Sequence, residues 1–258
     1  MKNTALGLGL KMLALIAFVA GVGVGLLALV AAAGVWFGWW DFRQGFSLLR
    51  SVNTYAPWIA GAGLVIGALV YLGSRHFKTG KGASLAGLAL VGTVAAALAY
   101  YVPESYRPPE GTPPIHDIST DTDNPPVFVD IVPLRADAPN SYIYGDSPNL
   151  TPERLAELQK GAYPDIATRS FAEPKEQVFA RALAAVDQLG WELVAQDPQA
   201  GRIEATDTTF WFRFKDDVVI RIREQNGQTL VDARSVSRVG TSDVGKNAQR
   251  LRAFFELL

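Results

Sequence analysis

The 258-residue sequence contains no cysteine and only two histidines, and both shortages restrict its chemistry. Without cysteine there is no disulfide framework and no thiol nucleophile. A zinc site needs three or four ligands at fixed spacing, and neither His76 nor His116 stands in such a pattern. A glycine-rich nucleotide-binding loop followed by Lys and Ser or Thr is also missing. The sequence therefore predicts neither a metal nor a cofactor.

Acidic residues are almost missing from the first part of the chain. Residues 1–102 carry seven basic side chains and one acidic one, Asp41, whereas residues 103–258 carry seventeen basic and twenty-four acidic side chains. The formal net charge of −1 hides this division. Because no basic domain is offered to water, we exclude a nucleic-acid partner. A single soluble enzyme is also disfavoured.

Three apolar runs predict that residues 1–102 form three transmembrane helices, at about 12–40, 56–73 and 83–102. About 20 apolar residues suffice to cross the roughly 30 Å of hydrocarbon in a bilayer. The first run greatly exceeds the 7–15 residue core of a signal peptide, so we expect it to be retained. If it were cleaved, two spans would remain and the C-terminal domain would still lie outside the cytoplasm.

Basic residues in the loops predict the orientation of these spans. The loop Ser74–Gly82 carries three basic residues, whereas the loop Asp41–Thr54 carries two arginines offset by one aspartate. The positive-inside rule then places the N-terminus in the cytoplasm and the C-terminal domain outside. We expect a multi-pass inner (plasma) membrane protein with a C-terminal domain that is periplasmic in a bacterium.

Glycines at four-residue spacing occur in the first two spans, as Gly21/Gly25 and Gly63/Gly67. This spacing allows two helix backbones to approach closely. The pairs could join two copies of the chain or pack the three spans of one chain, and we favour the second interpretation. No Asp, Glu or His lies inside a span, which argues against a transporter.

The C-terminal half is predicted to be an α+β domain over residues 150–258, preceded by a proline-rich linker, 103–149, that wraps onto it. Helices are expected at Thr151–Lys160, Pro174–Leu189 and Val244–Leu257. Period-two patterns predict strands at Trp191–Gln196, Ile203–Thr209 with a continuation through Phe214, Val218–Arg223 and Thr229–Val239. The order of elements indicates an antiparallel sheet with helices packed on one face.

Asn226-Gly227 is the strongest hairpin signal in the chain, and a two-residue turn there sets the register of the last two strands. Ile222 then faces Val231, and Ile220 faces Ala233, on the buried side. Arg221 faces Asp232, and Val219 faces Arg234, on the side expected to be exposed. The opposite charges of Arg221 and Asp232 agree with that register.

Several strings in this domain carry a resemblance to a known family. They are Pro113-Pro114-Ile115-His116-Asp117-Ile118-Ser119-Thr120, Pro164-Asp165-Ile166, Gly190-Trp191, Ile203-Glu204-Ala205-Thr206, the strand from Asp216 to Ile222, and the run from Val231 to Ala248. Over roughly residues 112–258 the chain resembles the bacterial and plastid family called domain of unknown function 1499, here fused to three N-terminal spans. The resemblance implies no activity.

Two sets of residues are candidates for catalysis. His116 with Asp117 could serve a nucleophile, although hydrogen bonds to the backbone that pin the linker are the favoured interpretation. Asp216 and Asp217 could act as an acid/base pair. Adjacent strand residues point to opposite faces, so a turn that enters the strand is favoured instead.

The densest polar cluster is the candidate binding site for an anionic ligand such as a phosphate or carboxylate. Its candidate residues are Arg221, Arg234, Arg238, Ser242, Asp243 and Lys246. Asp243 could instead occupy the start of the last helix, and Asp232 could neutralise Arg221. A structural ion network is the favoured interpretation.

These observations predict a binding or assembly module of the cell envelope, anchored in the lipid bilayer. Its partner would be an envelope protein or an anionic ligand. The alternative is an envelope hydrolase or lipid-modifying enzyme that uses His116/Asp117 or Asp216/Asp243. A concave pocket that joins His116 to the arginine cluster would favour the enzyme.

Overall fold

The computed structural model describes residues 2–147 and 150–258; Pro148 of the predicted linker and its neighbour Asn149 lie outside the described residues. The chain forms two compact units. The helical unit runs to Arg107 and also includes Trp211–Arg213. The sheet unit comprises Pro108–Phe210 and Phe214–Leu258.

The helical unit contains three helices that are long and apolar enough to cross a membrane, which confirms the three predicted spans. They are α1 (Lys2–Trp36), α2 (Phe42–His76) and α3 (Gly82–Glu104). The expected loop at Asp41–Thr54 is wrong, because the first turns of α2 occupy it. Asp41 caps this helix by accepting a hydrogen bond from the backbone N–H of Gln44 at 2.9 Å.

The glycines at four-residue spacing face α3 within the same chain. A Cβ added to Gly21 would lie 2.0 Å from the carbonyl oxygen of Gly92, and one added to Gly63 would lie 2.4 Å from a threonine hydroxyl of α3. Gly25 and Gly67 contact alanines of the same helix. These contacts account for both pairs by packing inside one chain. A homo-oligomer through them stays a prediction.

The sheet unit is an antiparallel sheet with helices, as predicted. Its elements in chain order are β1 (Asp117–Ser119), a 3₁₀ turn (Val132–Arg135), α4 (Pro152–Ala162), β2 (Arg169–Phe171), α5 (Lys175–Gln188), β3 (Glu192–Asp197), β4 (Arg202–Thr208), β5 (Lys215–Gln225), β6 (Gln228–Ser237) and α6 (Lys246–Glu256). The strands β3 to β6 pair in sequence order, and both β1 and β2 pair with β6. The three-residue strands β1 and β2 were not predicted, because so short a segment shows no periodicity.

Two details of the predicted strands are wrong. The strand through Ile203 does not continue to Phe214, because β4 ends at Thr208 and Arg213 adopts a left-handed φ of 55° in the connection. Asp216 and Asp217 are not in a turn, because β5 begins one residue before them. The extra strand residues find partners on both sides, in β4 and β6.

The predicted hairpin register is confirmed. Ile222 pairs with Val231 and Arg221 with Asp232. Ile220 also pairs with Ala233, and Val219 with Arg234, as expected. The turn residues Asn226 and Gly227 have φ values of 53° and 75°, the left-handed backbone of a two-residue hairpin turn.

The two faces of the sheet are covered differently. On one face, apolar residues of β5 and β6 pack with α5 and α6 in the main core. On the other face, Val219 and Val236 pack under Phe128 and Ile131 of residues 120–144, which we call the covering segment. This second face was expected to be exposed and is instead buried. A proline-rich chain without helix can cover a sheet in this way because its backbone is already extended.

Candidate functional site

The candidate arginines and aspartates of the second face form a network that we call the charged seam. It comprises the buried side-chain contacts that join residues 117–144 to strands β4, β5 and β6. We describe it from the most buried arginine outward.

Arg234 lies at the centre of the charged seam and is fully enclosed. Its guanidinium donates to both carboxylate oxygens of Asp117, at 2.9 and 2.7 Å. It also donates to two backbone carbonyls of the covering segment, at 3.1 and 2.7 Å. The rings of Phe128 and Tyr144 lie 5.2 and 5.4 Å from the guanidinium. Protein groups therefore occupy the donors with which Arg234 could bind an external anion.

Asp217 is the second centre of the charged seam. Its fully buried carboxylate accepts from Arg135 at 2.5 Å, from Arg238 twice at 2.9 Å and from the Thr206 hydroxyl at 2.7 Å. Burial lowers the pKa of Arg135, and Asp217 opposes that effect. Strand alternation places Asp217 on this face and so brings it to Arg135 of the covering segment.

Glu204 joins the covering segment to β4. Its buried carboxylate accepts from the backbone N–H groups of Val129 and Ile131, both at 2.8 Å, and lies 3.1 Å from Arg202. Sequence reasoning missed both Glu204 and Arg135. No local signal marks Glu204, because it alternates with Ile203 and Ala205 in β4 as an exposed strand residue would.

At the far end of the charged seam, Asp232 is shared by two arginines. Arg221 lies 2.8 Å from its carboxylate and 3.0 Å from Asp121 of the covering segment. Arg223 lies 3.2 Å from Asp232. The hydroxyl of Thr168 donates to the same carboxylate at 2.5 Å. The expected neutralisation of Arg221 by Asp232 is therefore present.

On the helix-covered face, a second network holds Asp216. Arg250 of α6 donates to Asp216 at 2.7 Å and to Asp207 at 2.7 Å. The side-chain oxygen of Asn247 accepts a hydrogen bond from Arg250, and its side-chain nitrogen donates to the carbonyl of His116 at 2.9 Å. Asp216 and Asp217 therefore serve separate networks on opposite faces, as strand geometry requires.

Asp243 occupies the start of α6, as the structural interpretation predicts. Its carboxylate accepts from the backbone N–H groups of Gly245 and Asn247, at 2.7 and 2.9 Å. Burial raises its pKa, against those two hydrogen bonds. Beside it, the Ser242 hydroxyl accepts from a backbone N–H at 3.2 Å, and Lys246 donates to a glutamine at 3.1 Å. The carboxylate of Asp243 thus takes the place that an anion would need.

His116 lies at the edge of a small crevice. Its carbonyl accepts from Ser237 N–H and Asn247, both at 2.9 Å, whereas its buried Nδ1 has no partner among the described residues. Asp117, Ser141 and Asp146 also line the crevice, together with apolar and small residues of the same chain. The Ser141 hydroxyl donates to the Asp146 carboxylate at 2.8 Å. The crevice's free volume of about 10 Å³ corresponds to one water molecule.

The candidate residues therefore fall into four places: the charged seam, the Arg250 network that holds Asp216, the start of α6 and the His116 crevice. Asp117 alone belongs to both the crevice and the seam. Among the described residues, no group of three His, Asp or Glu side chains could hold a metal ion.

Comparison with known proteins gives one finding. Residues 117–258 match the model of a family described as Protein of unknown function (DUF1499). No curated protein and no solved structure matches the chain at a significant level. The match begins at Asp117, the partner of Arg234, and so contains the charged seam.

Proposed function

The chain belongs to the DUF1499 family, which carries no assigned activity, and we propose from its structure that it is a membrane-anchored module that binds a protein partner in the cell envelope. Three spans would hold it in the inner membrane. The basic loop between α2 and α3 supports a cytoplasmic N-terminus and an extracytoplasmic sheet unit, periplasmic in a bacterium.

The observation that carries this proposal is the surface of the covering segment. Asp121 and Arg135 of this segment bind inward to charged side chains of the sheet, whereas five of its apolar side chains face solvent. These are Val127, Val129, Leu134, Tyr142 and Ile143, each between 37 % and 69 % exposed. Protein interfaces are depleted of charge at their centre and enriched in aromatic side chains. Because the charged seam already fixes this segment, a partner would bind it with little ordering cost.

The test is site-specific photo-crosslinking of the full chain in cells. A photoreactive amino acid is placed at Leu134 or Ile143 and, as a matched control, at Gln177, an exposed residue of α5 on the helix-covered side. We expect one discrete adduct from positions 134 and 143 and none from 177. The Leu134→Asp variant should remove the adduct formed at 143. Equal adducts from all three positions, or none at all, would contradict the proposal.

A second candidate function is the envelope hydrolase or lipid-modifying enzyme that uses His116 with Asp117. It is favoured only by the unpartnered Nδ1 of His116 in the crevice beside Ser141. The Asp216/Asp243 version is disfavoured, because Arg250 holds one carboxylate and backbone N–H groups hold the other. If the full chain hydrolyses ester substrates, His116→Gln should abolish turnover while His76→Gln leaves it unchanged.

A further inference from the structure

Two arginines near the start of α2 share one helix face with a serine. Arg43, Ser47 and Arg50 are four and three residues apart, so their side chains lie along one stripe, and all three are exposed. We call them the arginine stripe. Together with Phe42 and Phe46 they line an open groove of about 320 Å³.

Among residues 2–147 and 150–258, no carboxylate pairs with Arg43 or Arg50. The ion pair found in the helical unit joins Arg107 to Glu104 instead. The guanidinium of Arg43 lies 5.7 Å over the ring of Phe42. Asp41, the one acidic residue before position 103, caps α2 through Gln44. The groove is therefore cationic and suited to an anion.

The groove lies where the last turns of α1 meet the first turns of α2, and we expect the membrane interface at this end of the helical unit. A Cβ added to Gly45 would lie 2.7 Å from the carbonyl oxygen of Ala31, so the first turn of α2 packs beside the last turns of α1. Trp36 ends α1 at this level, and the indole N–H of Trp40 donates to the same Ala31 carbonyl at 3.1 Å. Tryptophan rings favour the headgroup layer, where a half-polar ring is best solvated.

The helical unit adds a third cation at this level. Trp211–Arg213, at the tip of the connection between β4 and β5, belong to that unit. The ring of Phe212 stacks on Phe46 with centroids 4.4 Å apart. The guanidinium of Arg213 lies 4.7 Å from the ring centre of Trp36. Aromatic rings and arginines thus alternate around one end of the three-helix unit.

We infer that the arginine stripe binds the phosphate group of an anionic phospholipid. Guanidinium groups match phosphate oxygens in a bidentate geometry, and Ser47 can add a hydroxyl donor between the two arginines. The aromatic rings beside them suit the glycerol and upper acyl region of the same lipid. This inference concerns the helical unit alone and holds whether or not the sheet unit binds a protein partner.

The test is lipid binding to the purified full chain in detergent, followed by native mass spectrometry. Phosphatidylglycerol and phosphatidylcholine are titrated separately onto the wild type and onto Arg43→Gln/Arg50→Gln. A basic residue near an anionic surface contributes about a fivefold gain in affinity, so the double variant should bind phosphatidylglycerol about 25-fold more weakly. The matched control, Arg75→Gln/Lys78→Gln, removes two cations near the other end of α2 and should bind as the wild type does.

Two further measurements test whether binding needs the guanidinium geometry and whether the ligand is a lipid rather than free phosphate. Arg43→Lys/Arg50→Lys keeps the charge without the planar fork, so it should bind with an intermediate affinity. Excess inorganic phosphate should not displace the lipid. Equal binding by the glutamine double variant, equal binding of phosphatidylcholine, or displacement by inorganic phosphate would each overturn the inference. Circular dichroism of the variants establishes that their helices are retained.

Discussion

Removing the carboxylate of Asp217 should loosen the whole charged seam. The Asp217→Asn variant keeps the volume of the side chain but loses the charge that two arginines share. Arg135 is almost completely buried, so it has no access to water in place of its partner. Breaking a buried ion pair by removing one member costs about 3–5 kcal/mol, because the other charge is left uncompensated. Asparagine keeps one neutral acceptor oxygen for the four hydrogen bonds that Arg135, Arg238 and Thr206 donate to Asp217, so we expect the upper part of that range.

Hydrogen exchange of the full chain in detergent measures this loss locally. Peptides of β5 and β6 contain the backbone amides that the charged seam covers, and they open separately from the spans. A loss of about 4 kcal/mol corresponds to exchange roughly 900-fold faster, since each 1.36 kcal/mol is a factor of ten. Exchange in α1 to α3 should not change.

Asp165→Asn is the matched control. Asp165 pairs with Arg252 at 2.6 Å, but both side chains are substantially exposed, so its loss should cost at most about 1 kcal/mol. Adding Arg135→Met to Asp217→Asn should recover part of the stability, because it removes the stranded charge. If Asp217→Asn exchanged no faster than Asp165→Asn, the charged seam would not hold the covering segment.

Two other predictions concern the helix packing and the pH dependence. Gly21→Val should lower the free energy of unfolding by about 1–3 kcal/mol, because its side chain meets the Gly92 carbonyl, whereas Gly23→Val has open space; melting temperatures in detergent compare the two, and equal values would contradict the close packing. Burial raises the pKa of Asp243, with Asp216 adding to the effect and Arg250 opposing it. The folded state therefore binds this proton more tightly than the unfolded chain, so this contribution to stability is full below the ordinary pKa of 3.8 and is lost as the pH rises through the raised pKa. Asp243→Asn should remove that pH dependence of unfolding, and an unchanged pH profile would refute the assignment.

The sequence predicted well wherever a local rule applied. Asn226-Gly227 selects a two-residue turn, and the turn dictates the register that pairs Arg221 with Asp232. The three spans follow from the length of the apolar runs. The prediction of a loop at Asp41–Thr54 was wrong, because Arg43 and Arg50 interrupt the apolar pattern without interrupting the helix.

The sites depended on contacts that no local pattern contains. Arg135 and Asp217 are 82 residues apart, and Glu204 bonds the backbone of Val129 across 75 residues. A sequence reader sees Arg234 and Asp217 as exposed polar residues of a strand, since alternation reports two faces without saying what covers them. The covering segment turns those candidate ligand-binding groups into its own attachment points.

By itself, the sequence determined the division of the chain into apolar spans and an acidic α+β domain. The length of an apolar run and the spacing of its apolar residues can both be read from consecutive residues. It also determined the hairpin, through turn chemistry alone. Only the tertiary structure decided which charges are bound internally and which face outward. That decision rests on the covering segment, whose extended, proline-rich backbone brings distant carboxylates and guanidinium groups within hydrogen-bond distance and excludes water from them.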